Sequence, residues 1–186
     1  MQIFLISGKA GNGKDTVGNL VGEYLSCHNK KFVKTQYGKY VKMYTKELTN
    51  WDGSEATKSD YRDFFQSIGT QVIREKMKKA DLFVSRMIED IEVYHYYVDA
   101  VVISDVRFPI EIEAIKKHFN DVYTIRVISP NYISKLTKEQ LAHETENALS
   151  DDGEYDYILI NTSIDKLKKD IDEILEGIDA NEKINK

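Results

Sequence analysis

Gly8-Lys9-Ala10-Gly11-Asn12-Gly13-Lys14-Asp15-Thr16 is the stretch on which the reading of this 186-residue chain turns. An apolar run at residues 2–7 (QIFLIS) precedes it, and residues 14–27 follow with Val17, Leu20, Val21, Tyr24 and Leu25 at helical spacing. The run predicts a strand buried in a parallel sheet, and the spacing predicts a helix. A glycine-rich loop between strand and helix, closed by lysine, is the context in which such a loop cradles phosphate. Glycines let the backbone bend and come close to an anion. The loop N–H groups then face the phosphate oxygens, helped by the positive end of the helix. Lys14 is placed to neutralise terminal phosphate oxygens. The strict pattern has Ser or Thr directly after that lysine, whereas here Asp15 stands there and Thr16 follows. A bare carboxylate repels a polyphosphate. Asp15 is therefore expected to work through Mg²⁺ or to point away, with Thr16 the rival metal ligand.

Working outward, residues 101–105 (VVISD) form an apolar strand ending in Asp105, roughly ninety residues after the loop. That suits a carboxylate serving the metal of a bound nucleotide. Arg107 follows at the same strand end, the ligand edge of a parallel sheet, where a guanidinium forks onto phosphate. The remaining elements predicted are strands at 31–36, 99–104, 122–128 and 155–160, and helices at 39–48, 58–79, from Asp81 to about Tyr94, 110–119 and 163–178. Residues 49–57 read as a loop, 129–150 as an irregular lid with a short helix, and the tail from Asp179 as frayed. Strands alternating with helices give βαβ units and an α/β, three-layer, mostly parallel architecture in a single domain.

The balance of 26 basic and 31 acidic residues gives a net charge of -5. A mildly acidic chain is a poor candidate for a nucleic-acid polymer surface, yet it leaves room for a local anion pocket. One cysteine, Cys27, excludes an intrachain disulfide and is expected to be an inert packing residue in a reducing, cytoplasmic setting. The N-terminal apolar run is too short for a signal peptide or a membrane span, so no membrane partner is expected.

The loop Gly8 to Thr16, together with Ser104-Asp105-Val106-Arg107-Phe108-Pro109-Ile110-Glu111, resembles the phage-type deoxynucleoside monophosphate kinase family. His143-Glu144-Thr145-Glu146 is similar to a His-Glu-Ser-Glu segment of that family and of the related animal-type phosphomevalonate kinases. Phe65-Gln66-Ser67-Ile68-Gly69-Thr70 followed by Arg74 also looks like the family. The resemblance spans Ile3 to about Asn161. It implies a P-loop kinase fold with a five-stranded parallel sheet, a helical acceptor-binding insert (about 37–97) and a lid. By the same resemblance Lys14 and Thr16 would hold ATP phosphates and Mg²⁺, Asp105 would serve the metal, and Arg107 would hold phosphate. Residues 129–150 depart from the pattern: they contain no arginine, only Lys135 and Lys138 as cations. Arg126, on the preceding strand, is the expected catalytic substitute.

Two further features bear on function. Arg62, Gln66, Thr70 and Arg74 recur every four residues, a polar stripe opposite the apolar face of Tyr61, Phe64, Phe65, Ile68 and Val72. Read functionally, the stripe holds a monophosphate by its arginines and a base through Gln66 or Gln71; read blandly, it is a solvated face. His143, Glu144 and Glu146 lack the spacing of a helical zinc pair. Tyr94, Tyr96 and Tyr97 are expected to serve packing or an interface, and Lys76, Lys78 and Lys79 to form a solvated face. The expectation is an ATP- and Mg²⁺-dependent kinase acting on a (deoxy)nucleoside monophosphate, as a monomer or homodimer. The rivals are a kinase of another small acceptor, such as phosphomevalonate or dephospho-coenzyme A, and a nucleotide-binding switch without turnover.

Overall fold

The structure, a computed structural model, describes residues 1–134, 137, 142 and 144–184. In chain order the elements are β1 (Gln2–Ser7), α1 (Lys14–Cys27), β2 (Phe32–Thr35), α2 (Gly38–Leu48), a 3₁₀ turn (Lys58–Tyr61), α3 (Arg62–Gln66), a π-helix (Ser67–Lys76) and α4 (Leu82–Tyr94). There follow β3 (Ala100–Val106), α5 (Pro109–His118), β4 (Val122–Ile128), α6 (Glu144–Asn147), β5 (Tyr157–Ile160) and α7 (Ile164–Ile184). The five strands form one parallel sheet in the order β2-β3-β1-β4-β5.

β1 is central and buried throughout, which is why its sequence is continuously apolar. Its side chains alternate between two cores. Phe4 and Ile6 pack with Val17 and Val21 of α1 and with Leu167 and Ile171 of α7. Ile3 and Leu5 pack on the other face with Tyr37, Ile68 of the π-helix, Met87 of α4 and Ile115 of α5. Ser7, the last residue of β1, pairs with Val106 of β3 and Arg126 of β4. Connections diverge from β1 to either side, and the phosphate-type loop emerges at this switch point, where open α/β sheets bind ligands. Among the described residues no helix is long and apolar enough to cross a membrane.

Three expectations are corrected. First, residues 58–79 are not one α-helix. A 3₁₀ turn, a short α-helix and a π-helix succeed one another there. The wider i→i+5 turn brings Ile73 rather than Val72 into the core beside Ile68, while Phe65 and Tyr61 pack on the buried Trp51 ring. Second, the helix of the C-terminus continues through the expected frayed tail. Ile178 is buried, and the Asp179 carboxylate accepts hydrogen bonds from Lys30 Nζ at 2.5 Å and Gln2 Nε2 at 3.1 Å. Third, Cys27 is exposed at the end of α1 instead of packed. Of the lid, Lys135, Lys138 and His143 lie outside the described residues.

Candidate functional site

The glycine-rich loop is shaped by close approaches. Gly11 and Gly13 have φ of 84° and 97°, conformations that side chains with a Cβ rarely adopt. A Cβ at Gly11 would enter the Tyr132 ring, and one at Gly13 would come within 2.5 Å of the Asn161 amide. Asn161 Nδ2 donates to the Asn12 carbonyl at 2.9 Å, and Asn12 Nδ2 donates to the Val127 carbonyl at 3.0 Å. The loop is thus clamped by β4 and by the residue that follows β5, and Asn12 is a structural residue of the loop.

In front of it lies a cleft of about 620 Å³. The structure brings into it Ala10, Gly11, Lys14 and Asp15 from the loop side, Asp105 and Arg107 from the end of β3, and Arg62, Gln66, Thr70 and Arg74 from the insert. The four-residue stripe stays straight for a geometric reason. Four residues overshoot one turn of an α-helix and fall short of one turn of the wider π-helix, so the mixed segment cancels the drift. Gln71 lies off the stripe: it is exposed and accepts a hydrogen bond from Ser67 Oγ at 3.2 Å. Gly8, Lys9, Gly13 and Thr16 are not among the residues that line the cleft, and Lys9 Nζ pairs with Asp151 at 3.5 Å.

Lys14 Nζ donates to the Lys9 carbonyl at 2.9 Å. Burial and, after it, the charge of Arg107 lower its pKa to about 8, the behaviour of a cation awaiting an anion. Asp15 is largely exposed and does not point away: its Oδ1 accepts from Ser104 Oγ at 2.8 Å and Gln36 Nε2 at 3.1 Å, at the cleft mouth. Asp105 departs from the role of a freely disposed metal carboxylate. Its two oxygens accept the backbone N–H groups of Tyr37 and Gly38, each at 2.8 Å, so it anchors the start of α2. Burial pushes its pKa up, against those bonds and the nearby Arg107 and Lys14.

The turn after β3 is held by Glu111, a buried carboxylate at the third position of α5. It accepts from the N–H groups of Arg107 at 2.7 Å and Phe108 at 3.1 Å, the glutamate half of a capping box. Burial raises its pKa to about 7. Arg74 lies over the Phe108 ring at 3.4 Å and within 3.7 Å of Glu111, so the insert and the β3 turn share one guanidinium. Arg107 itself reaches Glu146 of α6 at 2.7 Å.

Arg126 does not reach the cleft. Only 2% exposed, it donates through Nε and Nη2 to Asp151 at 2.9 and 2.6 Å, and through Nη2 to the Leu149 carbonyl at 3.0 Å. A cation under a lid was expected; the structure shows an internal tether between β4 and the segment after α6. Among the described residues no group of three His, Cys, Asp or Glu side chains is placed to hold a metal. Gln36, Ser104, Tyr132 and Asn161 were not expected at the site. No local pattern marks them, because their relation to the loop is through space.

By sequence, no family model and no curated protein matches this chain. By structure, it is similar to an APS kinase, CysC, of Mycobacterium tuberculosis solved in complex with AMPPNP and APS: TM-score 0.56, 12% identity, 94% of this chain and 97% of that one. The Cys556Ala mutant of the same kinase gives TM-score 0.52 at 13% identity, covering 94% and 96%. A sugar kinase from Janibacter sp. HTCC2649 gives TM-score 0.53 at 12% identity, covering 91% of each chain. At these identities the likeness is one of fold. This chain has the P-loop kinase fold, an α/β architecture built on a five-stranded parallel sheet.

Proposed function

We propose that this protein transfers the γ-phosphoryl group of ATP to the phosphate of a small acceptor, a (deoxy)nucleoside monophosphate. One observation carries the reading: one cleft is lined both by the glycine-rich loop with Lys14 and by the stripe Arg62, Gln66, Thr70 and Arg74. A donor needs the first set and a phosphorylated acceptor the second. The neighbouring folds include a kinase solved with an ATP analogue and APS, which agrees with this division.

Phosphoryl transfer asks a protein for positioning, charge neutralisation and water exclusion. An acceptor phosphate oxygen attacks the γ-phosphorus, the bond to the β–γ bridging oxygen breaks, and ADP leaves. The acceptor is already ionised near neutral pH, so no strong base is required. Lys14 and the loop N–H groups hold the donor phosphates, Arg107 bridges toward the transferred group, and Arg62 and Arg74 hold the acceptor phosphate. Mg²⁺ keeps much of its water and uses one or two carboxylates plus substrate phosphates. Asp15 at the cleft mouth fits that modest demand better than Asp105, whose oxygens hold α2. When bound, the ion would neutralise phosphate charge.

The test is ATP consumption against a panel of nucleoside monophosphates that also contains phosphomevalonate and dephospho-coenzyme A. Turnover that depends on a nucleoside monophosphate is expected. Arg62→Ala and Arg74→Ala should each raise the acceptor KM about tenfold to a hundredfold, since a charged hydrogen bond is worth about 1.5–3 kcal/mol, with the KM for ATP little changed. ATP hydrolysis indifferent to every acceptor would overturn the kinase reading in favour of a nucleotide-binding switch.

A further inference from the structure

Glu146 is the one acidic side chain of α6 that is buried, only 6% exposed. Its Oε2 accepts the backbone N–H of Ala10 in the glycine-rich loop at 2.8 Å, and its Oε1 accepts Nη1 of Arg107 at 2.7 Å. Both donors belong to the set that holds phosphate oxygens if the loop works as proposed above, and both line the same cleft as Lys14. A loop N–H paired with a guanidinium is an anion site, and here the chain fills it with its own carboxylate.

We propose that Glu146 is an internal ligand of the phosphate site, seated where a substrate phosphoryl group goes, and that phosphate binding expels it. The proposal rests on the loop being a phosphate site. A carboxylate and a phosphoryl group cannot both take the single N–H of Ala10, and beside one guanidinium their like charges repel. Binding therefore breaks at least one charged hydrogen bond within the chain before it makes its own. Release of Glu146 takes from α6 its two bonds to the loop and to Arg107, while the Leu149 carbonyl and Asp151 stay bound to Arg126 and Asp151 also faces Lys9. Nucleotide binding and the seat of α6 are thus coupled through one side chain, without a second ligand.

The experiment is calorimetric titration of inorganic tripolyphosphate, and separately of ADP, into the parent protein and Glu146→Gln. Glutamine keeps the size but loses the charge, and its NH₂ group faces a donor. The variant should bind both ligands about tenfold to a hundredfold more tightly, the worth of a charged hydrogen bond. Equal affinity would show that the seat is not contested, and weaker affinity would show that Glu146 supports the ligand; either overturns the proposal. No binding to either protein overturns the phosphate-site reading itself, and this proposal with it. A second readout uses the parent protein alone. The Ala148 amide donates to the Glu144 carbonyl at 2.9 Å, and its hydrogen exchange should quicken when tripolyphosphate is added. Unchanged or slower exchange there overturns the expulsion.

Discussion

At the scale of the residue, the site's chemistry is set by charges held without enough solvent. Lys14 is the clearest case, with burial bringing its pKa down to about 8. Near pH 8 about half of the lysine is neutral, and a phosphate beside it favours the charged form. Nucleotide binding at pH 8 should therefore take up about half a proton, seen in calorimetry as a binding enthalpy that varies with the ionisation enthalpy of the buffer. At that pH the phosphates are already deprotonated and do not mask the uptake. Lys14→Arg keeps the charge but does not titrate there, so its enthalpy should be independent of buffer. Equal buffer dependence in both proteins would take Lys14 out of contact with phosphate. Lys14 was legible in the sequence because glycine spacing and flanking elements constrain it locally. Asp105 was legible as a strand-end carboxylate but not as the anchor of α2. Its partners, the N–H groups of Tyr37 and Gly38, lie 68 and 67 residues away along the chain. Glu146 was visible only as part of a short acidic segment, and its contact with Ala10 spans 136 residues.

At the scale of the element, periodicity reported where helices and strands lie more faithfully than what kind of turn they take. β1, α1 and β4 were expected over the ranges observed, because continuous apolar runs and 3.6-residue spacing are local signals. Residues 58–79 were expected as one helix, and their longest segment is a π-helix, since a four-residue repeat satisfies both geometries about equally. α7 runs past its expected end because Asp179 finds Lys30 and Gln2, contacts that no helix-stop rule foresees. Glu111 governs the start of α5, and its titration makes that role measurable. In the fold its carboxyl keeps a proton up to about pH 7, against an ordinary value of 4.5. Between those values the folded chain binds the extra proton, so rising pH favours unfolding by up to about 3 kcal/mol from this group. Its stabilising contribution is thus fully present below about pH 4.5 and is lost as pH climbs through about 7. Glu111→Gln retains an acceptor for the Arg107 and Phe108 N–H groups and cannot titrate. Urea unfolding from pH 5 to 8 should show the parent losing stability relative to the variant; two parallel curves would refute the assignment.

At the scale of the whole molecule, an acidic chain brings several of its cations into one cleft. Lys14, Arg62, Arg74 and Arg107 converge on the cleft although the net charge is -5. Arg126, which sequence position nominated for the same duty, is withdrawn from it by burial. It joins β4 to the segment after α6 through Asp151 and the Leu149 carbonyl. The two roles predict opposite results. A catalytic arginine at a transferring phosphoryl group is worth about 10³–10⁵ in kcat, and its loss leaves the fold intact. A buried tether costs stability instead: breaking such a pair typically takes about 3–5 kcal/mol. Asp151 is partly exposed and regains water once freed, which brings the figure here nearer 2–3 kcal/mol. For a chain of this length each kcal/mol moves Tm by about 2–4 °C. Arg126→Ala should therefore melt about 5–10 °C lower, while kcat measured well below the transition stays within a few-fold of the parent. Thermal unfolding and steady-state kinetics on the same preparation decide between the roles. An unchanged Tm with kcat reduced a thousandfold would return Arg126 to the reaction and require the Asp151 pair to open during turnover.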